Sequence, residues 1–284
     1  MHNVIARSSV GGRQRNEDYF AVLRMGDEGL LVVVADGVGG HVGGDVASKL
    51  ATAAFVSHVY KSWVIDLKGP FARPSDEEVT DMLRKAVAYA NESVRSAISG
   101  AGTTIVAAFI IDDVAYVTNV GDSRAYLIHG DEIHQITRDH SIPWREFEEK
   151  LKSDISQFYH KNAKHSQKLD IKSLAEFKLK FLTSHPQAHV VWNVVGYFGA
   201  VDYIDVYKLK LYCGDLLLLA TDGLTDVISD YDILEVVKQS KPIEETLEML
   251  IARAEKTSTD NITIAMVDVA CEKEKAYEIS FFDI

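Results

Sequence analysis

The 284-residue sequence has little of what defines several large classes of protein. Its two cysteines, Cys213 and Cys271, exclude a disulfide framework and favour a reducing compartment. It has five prolines, and its longest apolar runs, such as 30–35 and 216–220, are far shorter than the roughly 20 residues of a membrane-spanning helix. The first residues have no signal-peptide pattern. We therefore expect a soluble, cytoplasmic protein with no membrane insertion.

Positive charge is also scarce, because 30 Lys and Arg residues stand against 42 Asp and Glu residues, for a net charge of -12. An acidic surface repels nucleic acid and anionic lipid, so neither is expected as a partner. Apolar residues make up 47% and charged residues 25%, an ordinary mix for a globular chain. The length fits one large domain, and we expect a single domain over residues 1–284 that acts as a monomer.

Strand-like and helix-like segments are grouped rather than alternating. Helical periodicity predicts helices over 45–59, 76–98 and 243–255, with Ser75 and Pro242 as the starts of the last two. Such grouping predicts an α+β sandwich rather than repeated β-α units. Runs rich in Val, Ile and Leu predict strands over 19–23, 30–35, 103–111, 114–120, 125–129, 206–211, 216–220 and 262–269.

The segment 145–185 differs from the rest of the chain in charge. It has nine Lys and Arg residues against six Asp and Glu residues, and its apolar residues are spaced as in amphipathic helices. One interpretation is a helical surface insertion with a solvated basic face. The other is a mobile flap or docking element over an acidic site. In both, a flap or insertion at about 142–200 lies within the single domain.

Five short acidic motifs stand where apolar runs stop. Asp and Gly are poor strand residues, so each motif alone is explained by a turn. However, Asp36, Asp222 and Asp260 adjoin runs that should form central strands, and carboxylates gathered there repel one another unless cations neutralise them. Oxygen ligands favour Mn²⁺ or Mg²⁺ over Zn²⁺. The motifs are RQRNED at 13–18, ADGVGGH at 35–41, NVGDSR at 119–124, ATDGLTD at 220–226 and STDNIT at 258–263.

With GTT at 102–104 and RDHS at 138–141, this ordered set resembles the metal-dependent serine/threonine protein phosphatases of the type 2C (PPM) family, in particular their bacterial branch. The similarity runs from Arg13 to Thr263, apart from an atypical flap region. It implies an α+β fold in which a central antiparallel β-sandwich is flanked by helices, in α-β-β-α layers. It also implies phosphoprotein substrates, a cognate serine/threonine kinase that the enzyme opposes, and two Mn²⁺ or Mg²⁺ ions, with a possible third.

The resemblance assigns the ligands of the first two metal ions by position. Asp36 matches the catalytic carboxylate that bridges both ions. Asp222 and Asp260 match the other ligands of the first ion. Glu17 and the backbone carbonyl of Gly37 match the ligands of the second. In this arrangement the metals activate a shared water for direct attack on phosphorus, without a phosphoenzyme.

Further positions match the remaining functions of the family. Asp122 and Asp226 match acids that hold a weaker third metal ion. Arg13 matches the catalytic arginine that binds the substrate phosphate, and Asp18 matches a catalytic position that orients the water. Val38 replaces a histidine of some animal members, so the proton for the leaving alcohol must come from another group.

Two other functions stay open at this point. The chain could be a pseudophosphatase that binds phosphoproteins without turnover, although a degenerate site would usually have lost one of these acids. It could also be a phosphatase of a small phosphorylated metabolite, which needs the same metals but a different flap.

Overall fold

Two five-stranded antiparallel sheets lie face to face at the centre of the molecule, with helices on both outer sides. This arrangement comes from a computed structural model that describes residues 2–26, 29–39, 43–67, 74–161, 171–197, 199, 201, 203–239 and 241–271, without the side chains of 153–161. The first sheet has the order β1-β12-β11-β8-β9 and the second β10-β7-β6-β3-β2, while β4 and β5 form a small separate pair. In chain order the strands are β1 (Asn3–Ser9), β2 (Tyr19–Met25), β3 (Gly29–Ala35), β4 (Gly37–Val38), β5 (Gly102–Thr103), β6 (Ile105–Ile111), β7 (Val114–Val120), β8 (Arg124–His129), β9 (Glu132–Gln135), β10 (Asp205–Lys210), β11 (Leu216–Ala220) and β12 (Ile262–Asp268).

The helices complete a four-layer arrangement. Helices α1 and α2 pack on the outer face of the second sheet, and α6 and α7 pack on the outer face of the first. A third apolar cluster fills the space between the sheets. The helices are α1 (Gly44–Lys61), followed by a π-helical segment (Ser62–Leu67), α2 (Asp76–Ala97), α3 (Ile142–Lys161), α4 (Ile171–Thr183), α5 (Asp222–Thr225), α6 (Asp230–Val237) and α7 (Ile243–Ala254).

Strand β3 shows why some apolar runs are continuous rather than alternating. All seven of its residues are buried. Leu31 and Val33 point to the helices, whereas Val32 and Val34 point to the other sheet. Because successive side chains of a strand face opposite sides, a strand covered on both faces must be apolar throughout.

The predicted α+β sandwich is confirmed, as are the eight predicted strands and three predicted helices, to within a few residues at their ends. Helix α2 begins after Ser75 with a capping box, in which the Ser75 hydroxyl accepts from Glu78 N and the Glu78 carboxylate accepts from Ser75 N. The sequence did not predict β1, β9 or α6. Strands β1 and β9 are edge strands with partly exposed residues, so their apolar signal is weak.

The sequence predicted no disulfide framework, and the structure has a single crosslink. Cys213 and Cys271 are joined by a disulfide, and their Cα atoms lie 4.6 Å apart. The turn before β11 lies beside the end of β12, where Gly214 N donates to Val269 O at 3.0 Å. This proximity arises from strand pairing, which the separation of 58 residues conceals. Cysteine scarcity therefore no longer favours a reducing compartment.

The flap region contains the two amphipathic helices that the sequence predicted. Phe147 of α3 is buried and contacts the rings of Phe177 and Phe181 on α4, at centroid distances of 6.2 and 5.7 Å. Residues 162–170, in the middle of the basic segment, lie outside the described residues. Within the described ranges, none of the helices has the length and apolarity to cross a membrane.

Candidate metal centre

The predicted site residues gather at one end of the two sheets. Strand β3 ends at Ala35 and β11 ends at Ala220, each followed closely by a site aspartate. Strand β12 begins beside the end of β11, because Ala220 pairs with Ile264. Strand β2 begins beside the end of β3, because Tyr19 pairs with Ala35. Antiparallel pairing thus brings residues that are far apart in the sequence to the same edge.

Asp18 links the two sheets at this edge. Its Oδ2 accepts hydrogen bonds from Thr221 Oγ1 at 2.9 Å and Thr263 Oγ1 at 2.7 Å, both from the other sheet. Its Oδ1 is buried and has no hydrogen-bond partner. Burial raises the pKa of Asp18 to about 7, against the lowering effect of the two hydroxyls.

Asp36 and Asp222 are neighbouring carboxyl groups whose charges affect each other. Burial raises the pKa of Asp222 to about 6, helped by the nearby charge of Asp260. Burial also raises the pKa of Asp36 well above its usual range, with Asp222 as the next cause. The Oδ1 atom of Asp222 is buried without a hydrogen-bond partner. An unpaired buried oxygen is costly and marks a place where a cation can be accepted.

Glu17 and Gly37, the predicted ligands of a second metal ion, face a common space beside Gly44. A Cβ atom on Gly44 would lie 2.6 Å from Glu17 Oε2 and 2.9 Å from the carbonyl oxygen of Gly37. The glycine therefore leaves room between a carboxylate and a carbonyl oxygen. Asn261 fixes the loop that carries Glu17, since its Oδ1 accepts from Glu17 N at 2.8 Å.

Arg13 binds Asp260 through two hydrogen bonds. Its Nε donates to Oδ1 at 2.8 Å and its Nη2 donates to Oδ2 at 2.7 Å. These bonds raise the pKa of Arg13 above its usual value. The arginine is 58% exposed, so its guanidinium can also reach solvent at the rim of the site.

Asp122 and Asp226 lie on the flap side of the centre. With Asp222 they line a small cavity that Leu182 and Ala188 of the flap region also border. Burial raises the pKa of Asp226 to about 7, followed by the effect of the Asp222 charge. Burial likewise raises the pKa of Asp122 well above its usual range. The flap therefore covers the acids that the sequence assigns to a third metal ion.

Several of the carboxylates contact other protein groups rather than one common point. Within the described ranges, no three His, Cys, Asp or Glu side chains surround one point as a ready set of metal ligands. The Arg13–Asp260 ion pair offsets part of the negative charge of these acids. The donor set fits hard divalent cations, because it consists of oxygens and includes two unpartnered buried ones.

The sequence did not single out the residues that hold these acids. Thr221, Thr263 and Asn261 lie within the quoted motifs, so their signal was polarity at the end of an apolar strand. Lys178, a buried residue of α4, had no local signal. It lies on an amphipathic helix where charged residues are usually solvated.

This sandwich, with acids at one end and a helical flap above them, is the architecture of a metal-dependent phosphatase. The sequence model described as protein phosphatase 2C matches residues 7–263. The chain therefore belongs to the protein phosphatase 2C family, as the motifs predicted, and it is a hydrolase of that family.

Named relatives are bacterial. The chain is 31% identical over 268 residues to the protein phosphatase PhpP of Streptococcus pneumoniae, covering 90% of this chain and 93% of that protein. It is 29% identical over 263 residues to the serine/threonine phosphatase stp of Listeria monocytogenes, covering 90% and 91%. Each alignment spans the sandwich and the flap region together.

Solved structures have the same fold. The serine/threonine phosphatase Stp1 of Staphylococcus aureus matches with a TM-score of 0.74 at 26% identity, covering 96% of both chains. The serine/threonine phosphatase of S. agalactiae matches with a TM-score of 0.73 at 26% identity, covering 95% of this chain and 100% of that one. These matches confirm the predicted sandwich.

Proposed function

We propose that this enzyme hydrolyses phosphoserine and phosphothreonine in proteins, using two Mn²⁺ or Mg²⁺ ions and a weaker third. The observation that carries the proposal is the gathering of acids with two unpartnered buried oxygens, Asp18 Oδ1 and Asp222 Oδ1, at one edge of the sandwich. The names of the relatives, which are serine/threonine phosphatases, support the substrate class.

The residues fall into three groups by what they would hold. Asp36, Asp222 and Asp260 would bind the first cation and Glu17, with the Gly37 carbonyl and Asp36, the second. Divalent cations held together activate water and offset the negative charge of a phosphate. Because the pKa of Asp222 is raised to about 6, cation binding would compete with protons for this carboxylate.

Asp122 and Asp226, with Asp222, would hold the third cation. Their cavity is bordered by Asp222 on one side and by the flap on the other. Burial is the main cause of the raised pKa of Asp226, and a bound cation would stabilise its charged form. This third ion is proposed as the weakest, as the resemblance to the bacterial members implies.

Two side chains would act on the substrate and the water. Arg13 presents a planar guanidinium that already makes two parallel hydrogen bonds to a carboxylate, the geometry that also fits phosphoryl oxygens. Asp18 has a free acceptor atom, Oδ1, which would orient the attacking water, while its Oδ2 is fixed by two threonines. Val38 has no proton to give, so the leaving alcohol would take its proton from water.

We further propose that the enzyme acts as a monomer in the cytoplasm and opposes a serine/threonine kinase. Such kinases make its substrates with ATP, so both enzymes would share a compartment.

The test is hydrolysis of p-nitrophenyl phosphate and of a phosphothreonine peptide, each with Mn²⁺ and with EDTA. We expect Mn²⁺-dependent turnover of both substrates, and loss of at least about 100-fold in Asp36→Asn and Asp222→Asn, because each removes a cation ligand. Circular dichroism checks that the variants stay folded, and Asp81→Asn on the exposed face of α2 is the control.

Three outcomes would contradict the proposal in different ways. A folded enzyme with no Mn²⁺-dependent turnover of either substrate would indicate a binding protein. Turnover of phosphorylated metabolites but not of the peptide would change the substrate class. A fully active Asp222→Asn would contradict the ligand assignment.

A further inference from the structure

A closed ring of six hydrogen-bonded side chains joins the flap to the body of the enzyme beside the acids of the centre. The members come from the flap helix α4, strands β8 and β9, the loop before α3, and the start of α6. They are Lys178, Gln135, Asp139, Arg124, Tyr126 and Asp230.

Lys178 is the flap's contribution to the ring. Its Nζ donates to Gln135 Oε1 and to Asp230 Oδ2, both at 2.5 Å. The residue is only 8% exposed. Burial lowers the pKa of Lys178, and the neighbouring Arg124 charge adds to this effect. A lysine in such surroundings is retained only with good partners, because an unpaired buried charge is strongly unfavourable.

Arg124 closes the other half of the ring. It binds Asp139 with two nitrogens, with a shortest distance of 2.7 Å from Nη2 to Oδ2. Gln135 Nε2 donates to Asp139 Oδ1 at 3.1 Å, and Tyr126 OH donates to Asp230 Oδ1 at 3.1 Å. Arg124 and Asp139 are 4% and 5% exposed. The two cations balance the two carboxylates, so the ring as a whole is neutral.

The hydrogen-bonded ring also contacts α3, the first flap helix. The centroid of the Trp144 indole on α3 lies 5.3 Å from Lys178 Nζ and 5.7 Å from Arg124 Cζ. Both distances are within the range of cation–π attraction. One lysine is therefore in contact with both flap helices and the sheet edge.

The position of this ring connects it to the reaction. Arg124 and Asp139 line the same cavity as Asp122 and Asp226, together with Leu182 from the end of α4. From Lys178 to Leu182 is one helical turn, so fixing the lysine fixes the flap surface over these acids. Leu182 and these acids line one cavity, so a substrate that binds on this side of the centre would contact the flap surface.

We infer that Lys178 is a positioning residue for the phosphatase reaction: through the ring it holds the flap over the Asp122–Asp226 side of the centre, where the substrate protein meets it. The inference rests on the proposed function for its kinetic consequence, whereas the fixed position of the flap does not depend on catalysis.

The test uses a charge-balanced pair of substitutions, Lys178→Met with Asp230→Asn, and the single variant Lys178→Arg. The matched control is Lys180→Met, which changes an exposed lysine of the same helix. Hydrogen exchange of the metal-free enzyme reports the position of the flap, with α7 as the internal reference. Steady-state kinetics with Mn²⁺ compares the phosphothreonine peptide with p-nitrophenyl phosphate.

We expect amide exchange in 171–190 to be about tenfold faster in the double variant, with α7 unchanged, because a local anchor is lost. We expect KM for the peptide to rise about tenfold, while kcat/KM for the small substrate changes less than about twofold. Lys178→Arg should keep the exchange rate of 171–190 and the KM for the peptide close to the wild-type values. Lys180→Met should behave like the wild type.

Unchanged exchange in the double variant would overturn the inference. Faster exchange with equal losses on both substrates would show a merely structural role and would overturn it too. If neither substrate is hydrolysed by the wild type, the proposed function fails, and the exchange result alone decides whether Lys178 fixes the flap.

A measurement on the wild type covers the case of a variant that does not fold. Acetylation of lysines, followed by mass spectrometry, should modify Lys178 at least about tenfold more slowly than Lys180, because its amine is buried and bonded. Equal rates of modification would overturn the inference.

Discussion

Arg13 holds Asp260 with the same donors that a substrate phosphate would use. A cation bound by Asp260 would weaken that ion pair and turn the guanidinium toward the substrate. The position of the Arg13 side chain would then depend on whether Asp260 holds a cation. In the metal-free enzyme this contact offsets part of the repulsion among the acids.

We predict that Arg13→Lys raises KM for both the peptide and p-nitrophenyl phosphate by about tenfold, since an ammonium cannot make two parallel hydrogen bonds to a phosphoryl group. Initial-rate kinetics at saturating Mn²⁺ measures this. Arg7→Lys, on the exposed face of β1, is the control. An unchanged KM for both substrates would remove Arg13 from the phosphate site.

The raised pKa of Asp226 predicts how the metal-free enzyme responds to pH. The unfolded carboxyl has a pKa of 3.8 and the folded one about 7, so the folded state holds the proton more tightly. This group's stabilising contribution is complete below the unfolded pKa and is lost as the pH rises through the folded value. The stabilisation contributed by Asp226 should therefore be lost between about pH 4 and 7.

Asp226→Asn removes this dependence. In EDTA at pH 7.5 we expect its melting temperature to exceed that of the wild type, by roughly 2–4 °C for each kcal/mol regained. At pH 4 the two should melt alike, because the wild-type carboxyl is then protonated. Thermal unfolding followed by circular dichroism measures both, and a variant less stable than the wild type at pH 7.5 would contradict the prediction.

At the scale of elements, α2 shows that stability and catalysis can be changed separately. Its capping box at Ser75 lies far along the sequence from every site residue, and the helix packs on the outer face of a sheet. We predict that Ser75→Ala lowers the free energy of unfolding by about 1 kcal/mol and leaves kcat/KM unchanged. Urea unfolding and peptide kinetics measure the two effects, with Ser93→Ala as control. A loss of activity without a loss of stability would refute this separation.

Elements buried on both faces could be predicted from the sequence, whereas edges could not. Strands β3 and β11 are fully buried, so their apolar runs were unmistakable. Strand β9 has only four residues, none of them buried, and its pattern resembles a loop. The acids of the centre could be recognised because several of them directly follow or precede the apolar runs of central strands. Lys178 was not, because burial of a charged helix residue depends on partners from other elements.

At the scale of the whole molecule, the single disulfide is a feature that the sequence did not predict. Cys213 and Cys271 close a loop with a separation of 58 residues. The chain-entropy estimate for such a loop is about 4 kcal/mol of stabilisation, with 2–4 kcal/mol typical of measured cases. The sequence alone does not show whether its two cysteines form a disulfide, because this depends on the antiparallel pairing of β11 and β12.

We predict that the oxidised enzyme requires more urea to unfold than the reduced enzyme. Urea unfolding with and without dithiothreitol measures the difference, and mass spectrometry after thiol alkylation confirms the redox state. A Cys213→Ser variant should match the reduced wild type and ignore the reductant. Equal midpoints for oxidised and reduced wild type would show that the crosslink adds no stability.

The disulfide also determines where the chain can be attached to something else. Strand β12 begins next to Asp260 at the acidic edge and runs for seven residues before Cys271, so the crosslink lies at the opposite end of the sandwich, about 20 Å away. An affinity tag or a bead linked after Cys271 would therefore pull on the end of the sandwich that the disulfide crosslinks. An enzyme immobilised at this end would present its acidic edge to the solution.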